Sequence, residues 1–249
     1  RRLTFGGRGR APVWTADSQW LVFQSEQDGV AGLFRQRVDG SGTAERLTTA
    51  DTGGIHVPQS ASPDGVHLLF TMVKDGEHSL HYLAMRDRRV AALSDVRSPT
   101  VVEAAFAPDG RWVTYSAGPV LQGPQRQTVI ESFVQPFPPT GVKYQIPSPT
   151  GATRPVWTPA GDGIVYGMGI GRDAVIPVIT APRFEFGKAE AFPLGARLGS
   201  GPGSRRNFDP IPDGRILGLI AIAPDQAGVQ APHIAVVLNW SEELRQRVR

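Results

Sequence analysis

The residues of this 249-residue chain that could do chemistry are aspartates, histidines, tyrosines and arginines, and their spacing decides what each is for. Aspartate recurs in one repeated turn, at Asp17, Asp64, Asp109 and Asp213, with Ala160 in the same place of a fourth copy. A hard cation needs six or more oxygens gathered at one point. These carboxylates instead come once per unit, 47, 45, 51 and 53 positions apart along the series. In Pro-Asp-Gly, proline presets φ, aspartate bonds back to the backbone and glycine takes the left-handed corner, so the aspartates read as turn formers. His78 and His81 form H-x-x-H. That spacing would hold zinc on a helix, but on a strand residues three apart face opposite ways, and the pair reads as edge or surface histidines. The tyrosines, Tyr82, Tyr115, Tyr144 and Tyr166, are candidate nucleophiles only beside an arginine cluster; two of them fall in buried strand positions and read as core. There is no G-x-S-x-G and no cysteine, so no serine elbow, thiolate or Cys-ligated metal is expected. The sequence therefore assigns no catalytic, cofactor-binding or metal-binding residue.

What remains is cationic. The loops that lead into the first strand of each unit carry Arg8, Arg10, His56, Arg154, Arg205 and Arg206, with Glu103 as the exception among them. If those strands converge, the cations ring one mouth of a channel, and a concave cationic mouth focuses field on an anion or an acidic segment of a protein partner. The alternative is that arginines in glycine-rich loops are solvated and idle. Asp209 is the one acid on the fifth first-strand, too few for the carboxylate pair of a glycosidase.

The elements that would position these residues come from the repeat. Five segments align: PVWTADSQWLVFQS, QSASPDGVHLLFTM, AAFAPDGRWVTYSA, PVWTPAGDGIVYGM and FDPIPDGRILGLIA. After each turn stands WLVF, HLLF, WVTY, GIVY or ILGL. These runs do not alternate, so both faces of the strand must be covered. A sandwich covers one face of each sheet; a propeller covers both faces of the middle strands of every blade. The expected fold is all-β, a β-propeller of four-stranded antiparallel blades, with five blades present at about 11–48, 57–94, 101–147, 153–194 and 204–239. The third and fourth strands of the units are expected at 31–38 and 44–48, 79–85 and 89–94, 127–137 and 143–147, and 174–180 and 189–194. In the fifth unit only a third strand, 232–239, is expected. Residues 1–4, RRLT, match the ERLT of a fourth strand at 45–48 and read as the leftover fourth strand of a blade: either they sit beside 232–239 and close a five-bladed ring, or they end an absent sixth blade and leave a gap. WSEELRQRVR, 240–249, reads as a short helix capped by Ser241, with acids at its start and arginines at its end. Trp14 and Trp157 share one strand position, and Trp20 and Trp112 another; all four are expected to pack between blades, each worth ~3–5 kcal/mol.

The repeat P-x-W-[ST]-x-D-G-x-x-[LIV]-x-[FY]-x-S, followed by a strand and RLT, resembles the TolB-type propeller repeat, a relative of WD-type repeats, over essentially the whole chain. The segments RRLTFGGRGRAPVWT, FVQPFPPTGVKYQI, RRNFDPIPDGR and IAVVLNWSEELRQRV resemble the C-terminal part of bacterial serine/threonine kinases in which a kinase domain and a membrane anchor precede the propeller. The resemblance implies six blades in the parent, so five of six here, and a non-enzymatic interaction or sensor module on the extracytoplasmic side of a membrane, with a cytoplasmic site the alternative. No kinase motif stands in these residues. A second reading makes the chain the gating propeller of a serine hydrolase whose catalytic domain lies elsewhere.

Composition agrees with a binding domain and narrows its partners. The 29 glycines and 22 prolines are spread along the chain, as many tight turns require. The pI is about 9.6 and net charge +3, with three lysines among 26 cations and no dense basic block, so a protein, peptide or small anion is expected as partner rather than nucleic acid. The longest apolar run, ILGLIAIA at 216–223, is strand-sized, so no membrane span is expected. With Arg1 first and no signal-peptide layout, the chain reads as a piece of a longer one.

Overall fold

The computed structural model describes residues 9–27, 29–118, 130–168, 172–192, 205–206, 208–211 and 215–218. Every helix or strand element among them is a strand. The first sheet holds β1 (Arg10–Trp14), β2 (Trp20–Gln27), β3 (Val30–Arg37) and β4 (Glu45–Arg46), and the second β5 (Ile55–Ala61), β6 (His67–Lys74), β7 (Glu77–Ala84) and β8 (Val90–Ser98). The third holds β9 (Ala104–Phe106), β10 (Trp112–Ala117), β11 (Glu131–Pro136) and β12 (Tyr144–Gln145). The fourth holds β13 (Thr153–Trp157), β14 (Gly163–Gly167) and β15 (Asp173–Ile179), with β16 (Glu185–Phe186) and β17 (Glu190–Phe192) both pairing β15. A final pair is β18 (Phe208–Pro210) with β19 (Ile216–Gly218). All pairing is antiparallel and follows chain order. The expected strands at 1–4 and 232–239 and the helix at 240–249 lie outside the described residues. The fourth strand expected at 189–194 is present as β17, which pairs the start of β15, and an additional short strand, β16, pairs its end at Val178 and Ile179.

The repeated turn works as its residues require. Ser62 Oγ donates to Asp64 Oδ1 (2.5 Å), which also accepts the Val66 N–H (3.0 Å), while Gly65 takes φ 71°. Thr15 and Asp17 repeat this at 2.5 Å, and Asp109 accepts the Arg111 N–H at 2.9 Å. In the fourth copy, where Ala160 replaces aspartate, Asp162 supplies the carboxylate two residues later and accepts the Thr158 hydroxyl (2.7 Å). Proline has a second role that turn chemistry alone does not show. A Cβ built on Gly110 would lie 3.5 Å from Pro63 Cδ, and one on Gly161 would lie 3.5 Å from Pro108 Cδ. In these two pairs the proline of one turn leans on the glycine of the next. Ala16 stands in the proline place of the first copy, and Gly65, which would receive it, has nothing within 4 Å.

The apolar runs are buried on both faces. Leu21–Val22–Phe23, Leu68–Leu69–Phe70, Val113–Thr114–Tyr115 and Ile164–Val165–Tyr166 are all buried. Successive residues go to opposite sides. Val22 packs in one cluster with Leu68 and Phe70, while Leu69 joins Val113 and Tyr115 in the next. Ile164 and Tyr166 pack with Ala105 and Val134, and Val165 packs with Phe208. Four clusters thus join five consecutive sheets face to face. The first strands also touch in order, β1 to β5, β5 to β9, β9 to β13 and β13 to β18, so they line one shared interior. The fifth run departs from the rule: Leu217 is 68% exposed.

The tryptophans divide. Trp157 is 4% exposed, seated against the small Ala105 and Ala107 of the third sheet. Trp14, expected to do the same, is 40% exposed, because Val13 takes the side that packs on the second sheet and Trp14 points away from it. Trp20 lies under Arg35 and Arg37, with guanidinium carbons 4.4 and 5.2 Å from its ring. Trp112 packs on Phe184 and Tyr144.

Two stability measurements check this packing. Trp157→Ala is expected to lower the unfolding free energy by ~3–5 kcal/mol and Trp14→Ala by no more than about 1 kcal/mol, read from urea titrations. Equal losses would contradict the assignment. Ser18 occupies the glycine place at φ 55°, so Ala16→Pro with Ser18→Gly is expected to raise stability by ~1–2 kcal/mol through a restored turn contact and relieved backbone strain.

Candidate functional site

The shared interior contains a cavity of about 350 Å³. Its wall takes Arg10 from β1, Ile55, Val57 and Gln59 from β5, Val101 and Val102 ahead of β9, and Arg205 ahead of β18. Among the described residues no carboxylate lines it. Thr71 and Gln59 are bonded to each other there (3.1 Å), and Thr71 also donates to the Val102 carbonyl (3.3 Å). Apolar side chains thus share the wall with amide and cationic groups.

Of the six cationic positions expected from sequence, the structure treats each differently. Arg8 lies outside the described residues. Arg10 is exposed on the cavity wall. Arg154 is buried, at φ 53°, where the register between β13 and β14 shifts; Ala11 takes the same φ at the matching shift between β1 and β2. A side chain held in that backbone region stores ~1–3 kcal/mol of strain. Its guanidinium fits against Gly167, whose added Cβ would stand 3.0 Å from Arg154 Nη2 and 3.6 Å from Asp173 Oδ1. Burial raises the Asp173 pKa and Arg154 opposes it.

Arg205 and Arg206 meet Glu103. The Arg206 backbone N–H donates to Glu103 Oε1, while the Arg206 side chain bonds the Phe208 carbonyl (2.9 Å) and pairs with Asp209 (2.9 Å). Ser116 fixes the Glu103 backbone from both sides, donating its N–H to the Glu103 carbonyl (2.8 Å) and accepting the Glu103 N–H on Oγ (3.3 Å). Glu103 Oε2 is buried and has no hydrogen-bond partner among the described residues. Burial pushes the Glu103 pKa up, and Arg206, Arg205 and Arg154 pull it back only in part. Burial lowers the Arg205 pKa and Glu103 opposes that shift. The acid that sequence set apart as an exception is the point on which three of the cations converge.

His56 is not one of those cations. It is buried against Phe70, 5.1 Å between ring centroids, and its Nδ1 sits 2.8 Å from Thr48 Oγ1. Thr48 Oγ1 also accepts the Leu33 N–H (3.0 Å). Burial, then His81, lowers the His56 pKa to about 4, so the ring is neutral at pH 7. No sequence signal separates it from a surface histidine, because Thr48 and Phe70 reach it only through the fold. His78 and His81 do point to different surroundings: His78 lines the cavity and His81 bonds Ser79 (2.9 Å) beside Phe70. Tyr115 and Tyr166 are buried in the core. Among the described residues no three of His, Cys, Asp and Glu are grouped to hold a metal.

With this geometry the chain can be set beside known proteins. No family model matches it. A stretch of 66 residues, 26% of the chain, is 39% identical to the uncharacterized protein Atu1656 of Agrobacterium fabrum, covering 22% of that protein. The putative TolB from Agrobacterium tumefaciens superposes with a TM-score of 0.64 at 16% identity, over 89% of this chain and 77% of that one. TolB from Acinetobacter baumannii gives 0.54 at 18% identity, over 74% and 43%. The fold is TolB-like. The β-propeller domain of the Trilobed protease from Pyrococcus furiosus, described as having an open velcro topology, gives 0.51 at 10% identity, over 76% and 58%. This TolB-like chain spans less than half the length of the A. baumannii protein and under a quarter of its Agrobacterium fabrum relative.

His56 generates a pH prediction. A histidine with a folded pKa near 4 and an unfolded value near 6.5 takes up its proton more readily when unfolded. Its contribution is whole above about pH 6.5 and is lost as pH falls toward about 4, by ~2–3 kcal/mol. His78 and His81, also lowered by burial, act in the same direction. The urea midpoint is expected to fall between pH 7 and pH 5, and less steeply in His56→Gln.

Proposed function

We propose that this chain is a non-enzymatic binding module whose interior cavity receives the anionic part of a protein partner, an acidic peptide segment or a small anion of like chemistry. The observation that carries this reading is the cavity wall: Arg10 and Arg205 line it together with apolar residues, and among the described residues no carboxylate does. Its volume, about 350 Å³, lies in the ~300–1,000 Å³ range of small-ligand sites. Cations beside a low-dielectric wall attract a carboxylate more strongly than the same cations in open water.

In this reading the stacked sheets are five of the six blades of a larger ring, and the rigid blades hold the cavity while an attached domain responds to its occupancy. The segments that resemble the C-terminal part of bacterial serine/threonine kinases favour a signalling kinase as the parent. The alternative parent is a serine hydrolase that this propeller gates; the likeness to the Trilobed protease propeller supports it at the level of fold.

The test is a calorimetric titration with triglutamate, with trilysine as control. Triglutamate is expected to bind, trilysine not to, and the affinity is expected to weaken between about 50 and about 300 mM salt. The double variant Arg10→Gln/Arg205→Gln is expected to lose at least tenfold in affinity while still folding, with a cooperative melting transition. Equal binding by the double variant and the parent chain would overturn the reading.

A further inference from the structure

We propose that Glu103 selects the ligand's charge, acting as a built-in carboxylate that an incoming anion must displace from the arginines around it. The inference rests on the anion-binding reading of the cavity and adds the residue that tunes it. Val101, Val102 and Arg205 line the cavity, and Glu103 follows the two valines directly in the chain. Its hold on this place is partial. Oε1 accepts the Arg206 backbone N–H, whereas Oε2 is buried with no hydrogen-bond partner among the described residues. A carboxylate normally gathers several donors when buried. Instead of a full set of hydrogen bonds it has the field of Arg206, Arg205 and Arg154, which opposes the upward push of burial on its pKa.

That field is shared. Arg154 also faces Asp173, and Arg206 pairs with Asp209, so Arg205 is the guanidinium that both contributes to the field at Glu103 and opens on the cavity. An anion that engages Arg205 weakens the counter-charge at Glu103, and burial then favours the neutral acid. The carboxylate takes one proton from solvent, and the site's negative charge passes from Glu103 to the ligand. Two consequences follow: an ionised Glu103 opposes anion binding, and a protonated Glu103 permits it.

Glu103→Gln separates this role from a structural one, because glutamine keeps the Oε1 acceptor for the Arg206 N–H and removes the charge. The experiment is triglutamate titration of the full chain and of Glu103→Gln from pH 5 to pH 8. At the upper end of this range the variant is expected to bind about tenfold tighter, and the two affinities are expected to converge as pH falls. Arg10 and His78 also face the cavity, but they are present in both proteins and cancel in the ratio of affinities. A ratio of one at every pH, or weaker binding by the variant at pH 8, would overturn the proposal. A measurement on the unaltered chain alone keeps the test independent of the variant's folding. Binding heats in two buffers of different ionisation enthalpy are expected to show net proton uptake, and zero uptake across the range contradicts the role of Glu103. Should the unaltered chain fail to bind triglutamate at any pH, the anion-binding reading itself falls and this proposal with it; binding without a pH-dependent ratio removes Glu103 alone.

Discussion

The second strand of each of the first four sheets has no face for water, and this constraint organises the molecule. Three consecutive residues in β2, β6, β10 and β14 are buried, although neighbours along a strand point to opposite sides. A sheet of this kind is satisfied only when another sheet lies on either side of it. The clusters show the partition: Leu69 goes forward to the third sheet while Leu68 and Phe70 go back to the first. Each buried side chain of this size contributes ~1.5–3 kcal/mol, so stacking dominates whatever the short hairpins add. The proline-on-glycine contacts between successive turns hold the same spacing at one end of the stack.

Stacking in turn creates the site. Because first strand meets first strand, residues from β1, β5, the approach to β9 and the approach to β18 come to one cavity, though they are far apart in the chain. The same geometry buries Glu103 among arginines from two other units. Burial and charge oppose each other there, and burial prevails: the carboxyl is raised despite three cations. Arg154 shows a related tension, a buried guanidinium on a left-handed backbone residue at a strand bulge. Strain, a raised acid and an unpartnered oxygen thus gather around one interior rather than being spread over the sheets.

The repeat was readable because its signals are local. Proline, aspartate and glycine act within one turn, and a run such as HLLF declares two covered faces without reference to any partner. Asp162 could be recovered the same way, since Thr158 is within its reach along the chain. What could not be read depends on residues brought together from separate units. Trp14 and Trp157 share a sequence position, yet only Trp157 finds Ala105 and Ala107 opposite it. His56 counts as a cation by residue type, and loses that charge to burial and to the neighbouring His81. Glu103 looks like an exception in a list of arginines, and becomes their common neighbour only once the first strands converge.

The central claim is that adjacent residues of a second strand serve different interfaces while residues of successive sheets share one. Double-mutant cycles test it directly in this cysteine-free chain. Leu69→Ala with Val113→Ala, which lie in one cluster on neighbouring sheets, is expected to show a coupling energy above ~0.5 kcal/mol. Leu68→Ala with Leu69→Ala, side by side in sequence but in different clusters, is expected to be additive within ~0.5 kcal/mol. Coupling between Leu68 and Leu69 together with additivity between Leu69 and Val113 would contradict the stacked arrangement.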